Sequence, residues 1–235
     1  PAQLLLEVDT SQIPPDFLLE YTACDTDSDG VSVFDFSDAT PQVLALFPPG
    51  QLLTVTYYET LQEAQSEVSP IPDISNYTNN IVLTDMNGIQ GIYVRVDGDT
   101  ANDCVGLGIH VQLTVLPNPV LNMDVSDITE CSDTPNFGIF DLTSKDIEIT
   151  GGNPEYAVSY YASIADYTAT PPIPIPNPTL YPNIDEPQDI YYSAVNTITG
   201  CETFDAVNLS FQLFINENPT TTTPTDLLVC DEDGT

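Results

Sequence analysis

Asp25, Asp27 and Asp29 occupy alternate positions in the run Cys24-Asp25-Thr26-Asp27-Ser28-Asp29-Gly30. Carboxylates at this spacing converge on one hard cation when the backbone curls, and the glycine permits the sharp turn that the curl requires. The run is the first half of a calcium loop. An EF-hand carries a bidentate Glu at its twelfth position; here that place holds Phe36, so Asp35, or else Asp38, is expected to take over. Asp97 and Asp99 with Asp103 form a second, weaker cluster of the same kind. Three like charges this close repel unless a cation lies between them, which makes Ca2+ the expected cofactor.

Catalytic chemistry finds little material. The chain has one histidine, His110, set in an apolar alternating run, and its only basic side chains are Lys145 and Arg95. That inventory does not supply the usual nucleophile and base pairings. Acidic pairs suited to glycoside cleavage abound, but no motif singles one out. Tyr57, Tyr58, Tyr160 and Tyr161 resemble an aromatic sugar platform in type, yet strand propensity and core packing account for them. The chain is expected not to be an enzyme.

The elements that position these residues are β-strands. The 235 residues carry 36 Asp and Glu, a formal charge of −34, 21 Pro and 12 Gly. Proline on this scale rules out long helices. A hydrophobic fraction of 41% is too high for a disordered acidic tail. The charge repels nucleic acid and anionic membrane, so neither is an expected partner, and no apolar run has the ~18 residues of a membrane span.

The chain repeats. Cys24 to Phe36, ending in Phe34-Asp35-Phe36, matches Cys131 to Leu142, ending in Phe140-Asp141-Leu142, and Cys230-Asp231-Glu232-Asp233-Gly234 begins the motif a third time. Val55 to Tyr58 matches Val158 to Tyr161, and Ile92-Tyr93-Val94 matches Ile190-Tyr191-Tyr192. Each of the latter precedes a cysteine, Cys104 or Cys201, and then a closing strand, Val111–Val115 or Phe211–Ile215, that trails into Asn-Pro. The period is about 100 residues. The expected division is a closing strand of a preceding repeat over 1–9, repeats over 10–117 and 118–217, and the start of a following repeat over 218–235, so that the chain reads as a segment of a longer polypeptide. Several short strands per repeat, separated by Asn, Asp, Gly and Pro, predict tandem immunoglobulin-like β-sandwiches, an all-β fold in an extended array. A short helix is expected at 144–149, and Pro171–Pro178 is expected to run extended as a sheet edge or strap.

The ordered motifs Cys-Asp-x-Asp-x-Asp-Gly, Phe-Asp, Tyr-Tyr, a Pro-rich loop, Ile92-Tyr93-Val94-Arg95-Val96, Gly200-Cys201 and a final Asn-Pro resemble tandem repeats of very large Bacteroidota surface proteins. Their best-known members are the SprB-type gliding-motility adhesins. The resemblance spans essentially the whole chain. It implies type IX secretion, a location at the outer cell surface, filament formation, adhesion and gliding motility, with neighbouring repeats of the same chain and surface polysaccharide as partners. Repeat two departs from the pattern, since its loop is Ser132-Asp133-Thr134-Pro135-Asn136. Asp99-Thr100-Ala101 resembles the Bacteroidota O-glycosylation motif, with Thr100 as acceptor. A second reading is an accessory or carbohydrate-binding module beside a secreted catalytic domain.

The five cysteines, Cys24, Cys104, Cys131, Cys201 and Cys230, are expected to form disulfides, as in other exported proteins. The simple pairing lies within repeats, Cys24 with Cys104 and Cys131 with Cys201. Strand arithmetic favours another. Cys131 lies 12 residues past Pro119, and at ~3.3 Å per residue that crosses a whole sandwich. The first cysteine of a repeat then sits at the far end. The second, followed by more than ten residues of closing strand, sits at the near end. Cys24 is thereby brought to Cys201, between repeats.

Overall fold

The computed structural model describes residues 11–99, 104–205 and 207–219. They form two compact units. One runs to Val120 and includes Val195–Thr203; the other comprises Leu121–Ala194 and continues from Phe204. The expected closing strand at 1–9 and the third opening at Cys230 lie outside the described residues.

In the first unit β1 (Leu19–Asp25) is followed by β2 (Val33–Phe34), α1 (Ala39–Leu44), β3 (Thr54–Tyr58), α2 (Leu61–Ser66), β4 (Tyr77–Thr78), β5 (Ile89–Asp97) and β6 (Cys104–Pro117). One sheet has the order β1-β6-β5-β3, and β2 pairs with β4 to make the other layer. The first strand runs parallel to the last, with Leu19 opposite Val111 and Cys24 opposite Leu116, while β5 is antiparallel to both β3 and β6. Ile92, Val94 and Val96 of β5 and Val111, Leu113 and Val115 of β6 alternate inward. They meet Phe34 and Phe36 from the opposite layer, so period-two patterning builds one core between two sheets.

The second repeat follows the same plan with β7 (Ile128–Ser132), β8 (Ile139–Phe140), a 3-10 turn over Leu142–Lys145, α3 (Asp146–Thr150), β9 (Tyr156–Tyr161), α4 (Ile164–Thr168), β10 (Tyr181–Pro182), β11 (Gln188–Asn196), β12 (Glu202–Thr203) and β13 (Ser210–Glu217); of these, the end of β11 and all of β12 group with the first unit. Again the first strand, β7, is parallel to the last, β13, with Cys131 opposite Asn216. The chain is an all-β tandem of immunoglobulin-like sandwiches. The expected helix at 144–149 is the 3-10 turn running into α3. The proline strap has no regular secondary structure up to Asn177, where Pro178 opens a 3-10 turn, and it is tied to β9 by Ile175 N–H, which donates to the Tyr160 carbonyl. Ile71 N–H bonds the Tyr57 carbonyl in the same way in the first unit.

Buried polar side chains lock the loops of both units. Gln90 donates to the Tyr77 hydroxyl at 2.9 Å and accepts from Asn80 N–H. Its counterpart Gln188 donates to the Tyr181 hydroxyl and accepts from Ile184 N–H. Tyr57, Tyr58, Tyr160 and Tyr161 are all buried, so they form no surface platform. Tyr160 donates to Asp146, and burial together with that carboxylate raises its phenol far above the ordinary tyrosine range. His110 is also buried, with Nδ1 2.8 Å from the Phe17 carbonyl oxygen.

Position 193 differs between the repeats. The first places Arg95 there; the second places Ser193, fully buried, with a hydroxyl that has no partner among the described residues. An unsatisfied buried hydroxyl carries its full desolvation cost. Ser193→Ala is therefore expected to stabilise the second unit by about 1 kcal/mol in urea unfolding, and a destabilised variant would contradict this.

Candidate cation site and disulfide

β1 ends at Asp25, where its neighbour β6 also runs out opposite Pro117. The chain then coils tightly. Ser28 and Gly30 both take left-handed backbone angles, with φ of 63° and 78°. Gly30 N–H donates to Asp25 Oδ2 at 3.0 Å, and Val31 N–H donates to Asp29 Oδ1 at 2.7 Å. The curl gathers one carboxylate oxygen from each of Asp25, Asp27 and Asp29 within 4.8 Å of one another. Each pair repels by roughly 1 to 3 kcal/mol at such a distance. Neither basic side chain relieves this. Arg95 binds Glu67 and Asp97, and Lys145 binds Glu148. Asp25 Oδ1 is enclosed and has no hydrogen-bond partner among the described residues. Crowded carboxylates and an orphaned buried oxygen fit a hard, oxygen-seeking divalent cation, with these three residues as ligands.

Asparagine side chains hold the loop in place. Asn79 accepts from Ser32 N–H through Oδ1 at 2.7 Å and donates to the Gly30 carbonyl through Nδ2 at 3.0 Å. Asn183 plays the same part in the second unit, accepting from Gly138 N–H and donating to the Asn136 carbonyl. Sequence reasoning missed both. The available signal was Tyr77-Thr78-Asn79 recurring as Tyr181-Pro182-Asn183.

Other expected ligands are placed elsewhere. Asp35 stands outside the cluster, because the chain has already entered β2 and its carboxylate caps Ser37 N–H at 3.0 Å. Asp38 accepts from the Tyr21 hydroxyl and from Gln42. Asp97 is occupied by Arg95, whose Nε lies 2.9 Å from both carboxylate oxygens, so the second candidate cluster loses its first member. Asp99 joins no metal-binding group of the described residues. Asp103 and Thr100 lie outside them. In the second repeat no acidic cluster forms among the described residues; Asp133 instead accepts from Asn218.

Cys24 is bonded to Cys201, with the Cα atoms 5.6 Å apart. Cys201 belongs by sequence to the second repeat, but its hairpin groups with the first unit. There Asn118 Nδ2 donates to the Glu202 carbonyl at 2.8 Å, and the Thr203 hydroxyl donates to the Pro119 carbonyl at 2.6 Å. Cys104 and Cys131 are free thiols. Pairing within repeats is excluded by register. Cys24 lies opposite Leu116, whereas Cys104 begins the same strand 12 residues earlier. That is about 40 Å of strand, against the ~7 Å a disulfide allows between Cα atoms. Cys131, opposite Asn216 in its own sheet, has no claim on Cys201, whose sulfur is already bonded to Cys24. Burial raises the Cys104 thiol above its ordinary pKa.

Two sandwiches of one plan, joined by a disulfide from the opening strand of one repeat to the closing hairpin of the next, define a tandem-repeat class. The chain belongs to the family described as the Flavobacterium inter-domain disulphide bond domain, which matches residues 20–119 and 127–219. No match is found among curated proteins. Among solved structures, the crystal structure of Drosophila N-cadherin EC1-4 is similar at 10% identity and a TM-score of 0.23, over 71% of this chain and 42% of that one.

Proposed function

We propose that these repeats are non-catalytic spacer units of a very long cell-surface adhesin filament of the SprB type, exported by type IX secretion and supporting adhesion and gliding. The observation that carries this reading is the Cys24–Cys201 bond, which ties one repeat covalently to a hairpin of the next. A module that only binds or cuts a substrate has no need of such a link, whereas a unit that transmits load does. The acidic surface favours divalent cations and disfavours nucleic acid and lipid as partners. Neighbouring repeats and surface polysaccharide remain the partners in this reading.

Calcium at Asp25, Asp27 and Asp29 is the second stiffening device. Such an ion would neutralise the repulsion at the end of β1, next to the disulfide. A ligand bound only by the native state adds about 2.7 kcal/mol at a hundredfold excess over Kd. For a chain of this size that is a melting shift of roughly 5 to 10 °C. Melting is expected to rise in millimolar calcium and fall with chelator, and the response is expected to vanish in Asp27→Asn/Asp29→Asn. Identical melting curves with calcium and with chelator would remove calcium from the proposal.

A further inference from the structure

A second enclosed oxygen lies at the end of the β1–β6 ladder from which the acidic loop departs. Asn118 directly follows Pro117, the residue paired with Asp25 at the end of the parallel ladder. Its Nδ2 donates to the Glu202 carbonyl, while its Oδ1 is enclosed without a partner among the described residues. Asp25 Oδ1 is in the same condition. An unpartnered buried acceptor costs about 1 to 3 kcal/mol, and here two stand at the same end of one pair of strands. The local backbone offers little relief, because Pro117 and Pro119 on either side of Asn118 have no N–H to donate. No basic side chain is free to do so either.

The second repeat provides an internal comparison. Asn218, which also follows the closing strand and precedes a proline, is the counterpart of Asn118. There the loop after the first cysteine holds a single acid, and Asn218 Nδ2 donates directly to it, Asp133 Oδ1, at 2.8 Å. The asparagine at this position therefore reaches the loop. Where three carboxylates replace one, the amide nitrogen is turned to the hairpin and the oxygen is left without a donor. An amide oxygen together with clustered carboxylates is the ligand chemistry of a hard divalent cation.

We propose that Asn118 supplies, through Oδ1, a further ligand to the calcium ion held by Asp25, Asp27 and Asp29. This rests on the calcium reading above and extends it. The same side chain grips the hairpin through Nδ2, so calcium occupancy would be coupled to the contact between Asn118 and the hairpin that carries Cys201. The rival is a water molecule that donates to both orphaned oxygens.

Calorimetric titration of the full 235-residue chain with calcium chloride separates these cases. Asn118→Ala is expected to weaken binding about tenfold or more, as loss of a supporting metal ligand does. Asn118→Asp adds a fourth carboxylate and is expected to tighten binding, while lowering the melting temperature in chelator. It keeps the test valid should the alanine variant fold poorly, and peptide mapping of the Cys24–Cys201 link verifies the fold of each. Binding by the unmodified chain with the same Kd in both variants would overturn the role of Asn118 alone and favour water. No binding by the unmodified chain would overturn the calcium reading and this inference with it.

Discussion

Pulled by its two ends, the oxidised chain is expected to release only the residues outside the loop closed by Cys24 and Cys201. The cysteines are 177 residues apart, and force entering at one leaves at the other through the sulfur–sulfur bond. At up to about 3.6 Å per residue, roughly 600 Å of contour length is shielded and becomes available only under reductant. The same bond acts on thermal stability through the unfolded chain. Closing so long a loop removes conformational entropy worth about 5 kcal/mol at 25 °C. Reduction, or Cys24→Ser, is expected to lower the melting of the first unit by about 10 °C or more. Full extension of the oxidised chain in force spectroscopy, or melting unchanged by reductant, would contradict a staple that carries force.

The staple was legible in the sequence because it depends on direction alone. Once the opening strand runs the length of the sandwich, Cys24 and Cys104 are driven to opposite ends, and the parallel pairing of β1 with β6 does this. The core was legible for a similar reason, since Val, Ile and Leu alternating along β5 and β6 have only one face to bury. The cation loop was half legible. Asp25, Asp27 and Asp29 converge as their spacing implies, but Asp35 does not, because extending an EF-hand pattern past Gly30 assumes a continuing loop. The chain instead becomes a strand at Val33, and alternation puts Asp35 on the exposed face between buried Phe34 and Phe36. Asp97 departs from its expected role as a ligand because its partner stands two residues away: in a strand, Arg95 and Asp97 share a face.

The short helices carry a sequence signal of their own. Thr60 and Glu63 form a capping box at the start of α2. Ser163 accepts from Asp166 N–H at the start of α4, and both caps follow a Tyr-Tyr pair at the same point of the repeat. A Ser or Thr followed three residues later by an acid is a helix start, and its recurrence would have located both turns. The asparagine clamps are harder to read. Asn is common in turns for local reasons, and nothing in Asn79 itself says that it reaches 47 residues back to Ser32.

Phe36→Ala is expected to cost the first unit about 3 to 5 kcal/mol, next in size to loss of the disulfide. Phe36 has no exposed surface, and three rings surround it: Tyr57 at 5.5 Å, Tyr77 at 5.9 Å and Tyr21 at 6.0 Å between centroids. The Tyr57 and Tyr77 rings meet it edge to face, the arrangement in which aromatic pairs gain most beyond their buried area. These neighbours come from β1, β3 and β4, so a cavity here cannot be closed by moving one element. The Tyr21 and Tyr57 hydroxyls are also anchored, to Asp38 and Thr40, which opposes collapse of their rings into the space. The second repeat places Leu142, equally buried, at the matching position, so Phe36→Leu is expected to cost only about 1 to 2 kcal/mol. Each unit has its own core cluster, and Phe36 belongs to the first. Urea unfolding followed by circular dichroism should therefore show one transition shifted and the other unmoved. A loss below about 1 kcal/mol in the alanine variant would mean that the ring cluster is not the keystone of this core.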